Sequence, residues 1–173
     1  LHGPILTDNL GYYIGLYDTW SSYRPEAEGV LVAYASIHGN TAIAAKKMAE
    51  ILKEKGATKV AITDLSRDDM AEAVEDAFKY GKMVIAASSY DAGLFPPMHD
   101  FLHHLKIKNF QNRRVGIIEN GSWAPCAGRV MQDMLNQMKD ITIAGSMVTI
   151  RSCMKDSDVK NMEMLAEEVL AED

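Results

Sequence analysis

The sequence predicts a doubly wound α/β domain, built on a five-stranded parallel sheet with helices on both faces. From residue 29 onward, five short apolar runs alternate with five amphipathic segments. The apolar runs are rich in Val and Ile and mostly lack strict alternation with polar residues, which is typical of strands covered on both faces. Strands that alternate with helices in this way pair in parallel through right-handed crossovers.

The five strands and five helices can be placed in order along the chain. The predicted strands occupy residues 29–35, 59–65, 82–88, 113–120 and 141–150. The predicted helices occupy residues 41–55, 68–79, 97–106, 127–139 and 156–171. In the first helix the apolar residues fall near one face, and Gly56 stands where a helix commonly ends.

The first 28 residues do not follow this alternation. They contain an aromatic-rich, partly helical stretch, for which Thr7 or Asp8 is the expected N-cap, and residues 21–29 resemble a linker. We therefore divide the chain into an N-terminal segment, residues 1–28, and an α/β domain, residues 29–173. A first residue of leucine instead of methionine suggests a fragment of a longer protein.

Composition argues against several classes of protein. The formal net charge of −6 is unfavourable for nucleic-acid binding, which usually needs a basic face. No apolar stretch approaches the roughly 18 residues of a membrane span, and the N-terminus lacks the pattern of a signal peptide. The two cysteines, Cys126 and Cys153, are too few for a disulfide framework and lack metal-type spacing. The cytoplasm is the expected location.

The loop after the first predicted strand has the composition of a phosphate site. Ligands of an open parallel sheet bind beyond the carboxyl ends of its strands, and this loop is "SIHGNT", residues 36–41. Unpaired N–H groups and the helix dipole favour an anion at a helix start, and Ser36, Asn40 and Thr41 add side-chain donors. Without Lys or Arg, the loop would hold a phosphate mainly through neutral donors. The alternative is that Asn40 or Thr41 merely caps the helix.

Two further loops have the composition of a site for a flat heterocycle. "SSYDAGLFPP", residues 88–97, combines hydroxyls with an aromatic ring and an apolar tip. "ENGSWAPCAG", residues 119–128, places Trp123 between glycine and proline, where an indole is expected to stack on a ligand. The alternatives are that Tyr90 and Phe95 are packing residues and that Trp123 covers the domain's own core.

No catalytic residue and no metal ligand is assigned. The sequence contains neither G-x-x-x-x-G-K-[ST] nor G-x-G-x-x-G, which argues against ATP hydrolysis and Rossmann-type dinucleotide binding. Arg129 follows Cys126 by three residues, which is too short a spacing for the C-x5-R loop of a phosphatase. No serine lies in the G-x-S-x-G motif of a hydrolase. His99 and His103 lack the H-E-x-x-H arrangement of a zinc site.

The three loops, in this order, resemble those of flavodoxin-like, FMN-binding domains over residues 29–172. A closer resemblance is to flavodiiron proteins, in which a metallo-β-lactamase-like di-iron domain passes into a flavodoxin domain. It is carried by "LHGPI", "YYIGLYDTWSSY", "GVLVAYASIHGNTAIAAKKMAE" and "YDAGLFPPM". The resemblance implies a flavodoxin-like sheet with strand order 2-1-3-4-5.

The resemblance also implies FMN as the cofactor. The first loop would cradle its phosphate, and the other two would surround the isoalloxazine, with Trp123 as a stacking partner. The candidate cofactor-binding residues are Ser36, Ile37, His38, Gly39, Asn40, Thr41, Ser88, Ser89, Tyr90, Asp91, Ala92, Gly93, Asn120, Gly121, Ser122, Trp123, Cys126 and Gly128.

Two devices are expected to tune the flavin. Carboxylates such as Asp91 or Glu119, if close to the ring, would oppose negative charge on the reduced flavin and lower its potential. A peptide group near Ala92 and Gly93 that reorients on reduction would be a second device.

The expected function is an FMN-binding electron-transfer domain that shuttles one or two electrons, as the flavodoxin part of a flavodiiron oxygen or nitric oxide reductase. His2 matches an iron-ligating position of that family, but the H-x-E-x-D-H region is absent, and a lone histidine does not hold a di-iron site. We therefore expect no metal, and reductase activity only with a di-iron domain.

The expected partner is a redox protein, either a rubredoxin-like donor or a di-iron domain. The aromatic segment at residues 12–23 is a candidate surface for pairing with a second copy. Two alternatives remain open, an FMN reductase that uses NADH or NADPH and a cofactor-free receiver-like interaction domain. A receiver needs an acidic pair after the first strand, and "YASIHG" lacks one.

Overall fold

The computed structural model describes residues 3–172, so His2 lies outside the described part of the chain. The helices are α1 Leu10–Ser21, α2 Asn40–Glu54, α3 Met70–Lys79, α4 Pro96–Ile107, α5 Ala127–Leu135 and α6 Asp156–Leu170. The strands are β1 Ala27–Ala35, β2 Val60–Asp64, β3 Tyr80–Tyr90, β4 Gly93–Leu94, β5 Gln111–Asn120, β6 Lys139–Ile143 and β7 Val148–Ile150.

The sheet has the order β2-β1-β3-β5-β6, and these neighbours are parallel. Because β5 is the fourth predicted strand and β6 begins the fifth, the predicted order 2-1-3-4-5 is confirmed. The chain order reverses between β1 and β3, and the carboxyl ends of these strands meet at one edge of the sheet. This edge is where a doubly wound sheet binds its ligands.

The fifth predicted strand, residues 141–150, is two strands in the structure. The chain leaves the ladder after β6, where Gly145 has a left-handed backbone (φ 59°), and returns as β7, and both strands pair with β5. The helix predicted over residues 127–139 ends at Leu135, because Lys139 already pairs with Gln111 in the sheet. Since β7 pairs Ile150 with Asn120, the residues after β7 emerge beside the end of β5.

Apolar side chains fill both faces of the sheet. On β3, Met83, Ile85 and Ala87 pack with α3, α4 and α5. Val84 and Ala86, which alternate with them, pack with α2 and α6. Burial on both faces explains why the strands are continuous apolar runs.

The N-terminal segment forms α1, which contains no buried residue. Its N-cap is Asn9 with no side-chain cap, so the expected capping by Thr7 or Asp8 is wrong; the Thr7 hydroxyl donates to the Asp8 carboxylate instead (3.2 Å). The helices described for residues 3–172 include none long and apolar enough to cross a bilayer.

A buried arginine joins the linker after α1 to the sheet. Arg113, at the amino end of β5, is 3% exposed, and among residues 3–172 every acceptor found for its guanidinium is a backbone carbonyl. The acceptors are those of Tyr23, Phe78, Tyr80, Gln111 and Asn112, at 2.6–3.1 Å. Burial lowers the pKa of Arg113 to about 10.

Candidate functional site

A polar cavity of about 200 Å³ lies at the carboxyl ends of β1, β3 and β5. All three loops singled out in the sequence contribute to it, and a fourth, after β7, adds Ser152. The lining residues are Ser36, Ile37, His38, Asn40, Thr41, Ser88, Ser89, Asn120, Gly121, Ser122 and Ser152. None of these residues is Lys, Arg, Asp or Glu, so apart from the His38 imidazole the polar groups of the walls are neutral hydrogen-bonding groups.

The start of α2 faces this cavity with open backbone donors. The N-cap is Gly39, in the left-handed region (φ 91°) that favours glycine, and it makes no side-chain cap. The alternative that Asn40 or Thr41 merely caps the helix is therefore wrong. Among residues 3–172, no acceptor is found for the N–H groups of Asn40, Thr41 and Ala42. These groups are placed to bind an anion.

Hydroxyl groups complete this end of the cavity. Ser36 Oγ accepts from the Gly39 N–H at 3.1 Å, which curls the loop and leaves the Ser36 hydroxyl proton free to be donated. Thr41 Oγ1 and Ser88 Oγ lie 2.8 Å apart. Only one proton can lie between these two oxygens, so the pair retains a second proton for another acceptor.

The second predicted loop is a tight hairpin and not an open loop. Strand β3 extends to Tyr90, which pairs with Gly93 of β4, and the two turn residues Asp91 and Ala92 have φ 47° and 57°. Two consecutive left-handed residues are the geometry of a type I′ turn, which suits a two-residue hairpin. The Tyr90 ring is 43% exposed and lies 5.7 Å from that of Phe95 between centroids. Phe95 packs on the core, as the packing alternative predicted.

The second and third loops are joined by side-chain hydrogen bonds. Ser89 Oγ accepts from the N–H groups of Cys126 (2.9 Å) and Ala127 (3.1 Å), at the start of α5. The Cys126 thiol donates to the Gly93 carbonyl at 3.4 Å. Ser89 thus serves as a distant cap for α5, and because both its lone pairs accept, its proton is free to point into the cavity.

Trp123 and Gly128 differ sharply in exposure. Trp123 is 93% exposed, so the alternative that it covers the core is wrong. Gly128 is buried, donates to Glu119 Oε2 at 2.8 Å, and a Cβ there would lie 1.8 Å from the sulfur of Met147. Glu119 also accepts from Thr149 at 2.8 Å, and it lies outside the cavity lining, so it does not line the site as a tuning carboxylate.

The whole set of candidate cofactor-binding residues remains a prediction, and eight of them lie outside the cavity lining. These eight are Gly39, Tyr90, Asp91, Ala92, Gly93, Trp123, Cys126 and Gly128. Within residues 3–172, no group of three or more His, Cys, Asp or Glu side chains is arranged to hold a metal ion.

Sequence reasoning missed Ser152. Its N–H donates to Asn120 Oδ1 at 3.1 Å, and its carbonyl accepts from Asn120 Nδ2 at 2.9 Å. Its position in the sequence could have indicated this role, because Ser152 follows the fifth predicted strand. The carboxyl end of that strand lies at the same edge of the sheet as those of the other parallel strands. The Asn120 side chain therefore holds a turn of the protein, a role the sequence did not predict.

The solved structures most informative for this chain are flavodiiron proteins and flavodoxins. Rubredoxin oxygen:oxidoreductase of the anaerobe Desulfovibrio gigas superposes with a TM-score of 0.85 at 18% identity, covering 94% of this chain and 40% of that one. A variant of the flavodiiron protein of Thermotoga maritima gives 0.80 at 24% identity, covering 97% and 42%. Oxidised flavodoxin 1 of Bacillus cereus gives 0.68 at 18% identity, covering 82% and 96%.

The chain thus spans about two fifths of the length of the flavodiiron proteins and nearly the whole length of a flavodoxin. No curated protein matches its sequence. The flavodoxin family model matches residues 32–145, which is more than half of the chain and includes the first three loops of the cavity. This chain belongs to the flavodoxin family, whose members bind FMN and transfer electrons.

Proposed function

We propose that this cavity is the FMN site and that the chain acts there as an electron-transfer domain. The observation that carries the assignment is the set of open N–H groups at Asn40, Thr41 and Ala42 in the first turn of α2, where Asn40 and Thr41 line a cavity of mainly neutral hydrogen-bonding groups. A phosphate monoester is the ligand that these groups suit, since it brings negative charge and several acceptor oxygens.

The donor set fits the phosphate end of FMN. Three backbone N–H groups and the hydroxyls of Ser36, Thr41 and Ser88 supply donors, and the α2 dipole favours negative charge at the same point. A cation is not needed for such a site, because neutral donors and the helix terminus already complement the anion. FMN would therefore be held mainly by neutral donors, without a Lys or Arg in the lining of the cavity.

The surroundings of the cavity fit the flavin ring. Tyr90 and Trp123 lie just outside the lining, in the hairpin and in the loop after β5, and both are exposed. Large exposed aromatic side chains beside a polar cavity are suited to stack on a flat ring. Asp91, in the same hairpin as Tyr90, would lower the potential of the flavin through its negative charge.

Bound FMN would supply one- or two-electron transfer, and the protein would fix its exposure and orientation. We propose that residues 29–173 form this FMN domain and that residues 1–28 belong to a junction with another domain. By analogy with the flavodiiron proteins, the partner is a rubredoxin-like protein or a di-iron domain that reduces oxygen or nitric oxide. The free cysteines Cys126 and Cys153 agree with a cytoplasmic location.

Titration of the apoprotein with FMN, followed by tryptophan fluorescence, tests the proposal. The chain has two tryptophans, so Trp20→Phe leaves Trp123 as the only indole. We expect FMN to quench Trp123 emission and to remain bound through desalting, seen by visible absorption. Failure of FMN to bind at micromolar concentrations would overturn the proposal.

Reduction by a nicotinamide and flavin binding separate the carrier from an FMN reductase and from a receiver-like domain. Fast reduction of the bound flavin by NADH or NADPH would indicate an FMN reductase and not a carrier. A receiver-like domain would bind no flavin, and at the end of β1 the structure places Ser36, Ile37 and His38 where a receiver needs an acidic pair. We therefore expect flavin binding without rapid reduction by a nicotinamide.

A further inference from the structure

We propose that the turn after β7, residues 151–153, is a fourth wall of the cofactor site. In this turn the Ser152 hydroxyl binds the ribityl-phosphate part of FMN, and Asn120 is a positioning residue that holds Ser152 in place. The inference rests on the proposed function, because it deepens the same site.

The sheet brings this turn to the cavity. β7 is parallel to the end of β5, with Ile118 opposite Val148 and Asn120 opposite Ile150. The Gly121 N–H continues the ladder by donating to the Ile150 carbonyl at 3.1 Å. The turn after β7 therefore lies at the same edge of the sheet as the loop after β5. Ser152 lines the cavity together with residues of the loop at 36–41.

Asn120 fixes the backbone of the turn. Its side chain is almost fully buried (6% exposed) and makes two hydrogen bonds, one to the N–H and one to the carbonyl of Ser152. Both backbone groups of Ser152 are thereby satisfied, so its orientation does not depend on solvent. A buried amide that pairs with both polar groups of one residue acts as a clamp on that residue.

The hydrogen bonds with Asn120 involve only the backbone of Ser152 and leave its side-chain hydroxyl free. Ser152 is exposed and borders the polar cavity, and its hydroxyl has no hydrogen-bond partner among residues 3–172, so it is open to a ligand in the cavity. Ser152 also has φ 65°, a left-handed conformation that costs an L-residue free energy and that glycine would adopt freely. A serine kept in this conformation, with a free hydroxyl at the site, points to a contact with the ligand.

The contact is with the polar end of the cofactor and not with the ring. The lining that Ser152 shares contains Ser36, Asn40 and Thr41 but neither Tyr90 nor Trp123. Ribityl hydroxyls and phosphate oxygens both accept hydrogen bonds from a serine, so either satisfies this geometry. The isoalloxazine would lie farther out, toward the two aromatic side chains.

Ser152→Gly isolates the hydroxyl, because glycine suits the backbone angle and keeps both groups that Asn120 binds. We expect the Kd for FMN to rise about 5- to 15-fold, the loss of one hydrogen bond to the ligand. With FMN saturating, the reduction potentials should equal those of the wild type, because the lost contact is not on the ring. A Kd within about twofold of the wild type, or shifted potentials, would overturn the proposal.

Cys153→Ala is the matched control, since Cys153 is an exposed neighbour in the same turn but does not line the cavity. It should leave the Kd for FMN unchanged. Titration with riboflavin then separates the two acceptors. An equal loss for riboflavin and FMN in Ser152→Gly assigns the contact to the ribityl chain, and a loss for FMN alone assigns it to the phosphate.

The role of Asn120 is tested by a double-mutant cycle. If Asn120 acts through Ser152, then Asn120→Ala raises the Kd, and adding Ser152→Gly raises it no further. Thermal unfolding of each apoprotein shows that the variants are folded at the temperature of the titration. Additive losses would mean that Asn120 contacts FMN itself, which would overturn its positioning role. If the wild type bound no FMN, the proposed function would fail first, whereas wild-type binding with an unaffected Ser152→Gly would reject only this inference.

Discussion

The hydroxyl oxygens of Thr41 and Ser88 lie 2.8 Å apart and join the first turn of α2 to β3. Thr41 is 1% exposed, so its hydroxyl is held in a fixed direction by its packing and by Ser88. The start of α2 is therefore attached to the neighbouring strand β3 and not only to its own helix.

Thr41→Val removes this connection at nearly constant volume. We expect the free energy of unfolding of the apoprotein to fall by about 1 kcal/mol, because a partly buried hydroxyl at Ser88 loses its partner. The Kd for FMN should rise about tenfold, since one hydroxyl donor is lost from the site. Urea unfolding and fluorescence titration measure the two effects. The exposed Thr58→Val is the control, and a Thr41→Val variant that behaves like it would contradict the role given to the pair.

Gly93→Ala tests whether the hairpin tunes the flavin. A Cβ at Gly93 would lie 3.5 Å from the Tyr90 carbonyl oxygen and 4.0 Å from that of Asp91, so the variant should fold normally. If the peptide groups beside Gly93 reorient when the flavin is reduced, the two one-electron potentials should shift by on the order of tens of millivolts. Unchanged potentials in a redox titration would rule this role out.

Ala92→Gly tests the backbone strain of the hairpin turn at the neighbouring position, measured by urea unfolding of the apoprotein. Ala92 has φ 57°, and replacing a left-handed alanine by glycine should raise the free energy of unfolding by up to about 1 kcal/mol.

Arg113→Met tests the buried arginine at the opposite end of the sheet. Five backbone carbonyls would lose their donor, so we expect the free energy of unfolding to fall by about 2–4 kcal/mol. The Kd for FMN should be unchanged, because Arg113 lies at the amino end of β5. Arg67→Met is the control, because the Arg67 side chain is 82% exposed and its Nε lies 3.6 Å from Asp64 Oδ2. This substitution should change the free energy of unfolding by no more than about 0.5 kcal/mol. Weaker FMN binding in Arg113→Met would show that the two ends of the sheet are coupled.

Tyr34 is expected to make the protein less stable in alkali. Burial, together with the charge of Asp64, raises the pKa of Tyr34 above its ordinary 10.0. Above pH 10 the Tyr34 hydroxyl loses its proton in the unfolded chain before it does so in the folded protein. The contribution of Tyr34 to the free energy of unfolding therefore declines as the pH rises through the folded-state pKa.

Tyr34→Phe should therefore show a shallower fall in the free energy of unfolding as the pH rises above about 10, the ordinary pKa of tyrosine. Urea unfolding at several pH values measures the slope, with the exposed Tyr17→Phe as the control. Equal slopes in Tyr34→Phe and the wild type would be inconsistent with the raised pKa.

Much of the fold followed from local pattern. The alternation of apolar runs and amphipathic segments predicted the α/β class because strands buried on both faces and helices buried on one differ in periodicity. The three loops could be placed at one edge because parallel strands all end on the same side of the sheet. The order of the strands, by contrast, came from the resemblance to a family and not from the pattern.

Among the predictions that failed, the single fifth strand depended on pairing between distant residues. The break between β6 and β7 depends on how both segments pair with β5, and no local signal other than Gly145 marks it. The tight turn at Asp91 and Ala92 was hidden because neither residue is the glycine that a type I′ turn prefers.

The sequence by itself determined the fold class, the family and three of the four walls of the candidate site, because these depend on composition and on the order of elements along the chain. Only the tertiary structure decided that Ser152 joins them and that Asn120 is bound to its backbone. The two residues are 32 positions apart, and the parallel pairing of β7 with β5 brings them together. Long-range pairing of this kind is set by the register of the whole sheet, which no local stretch of sequence contains.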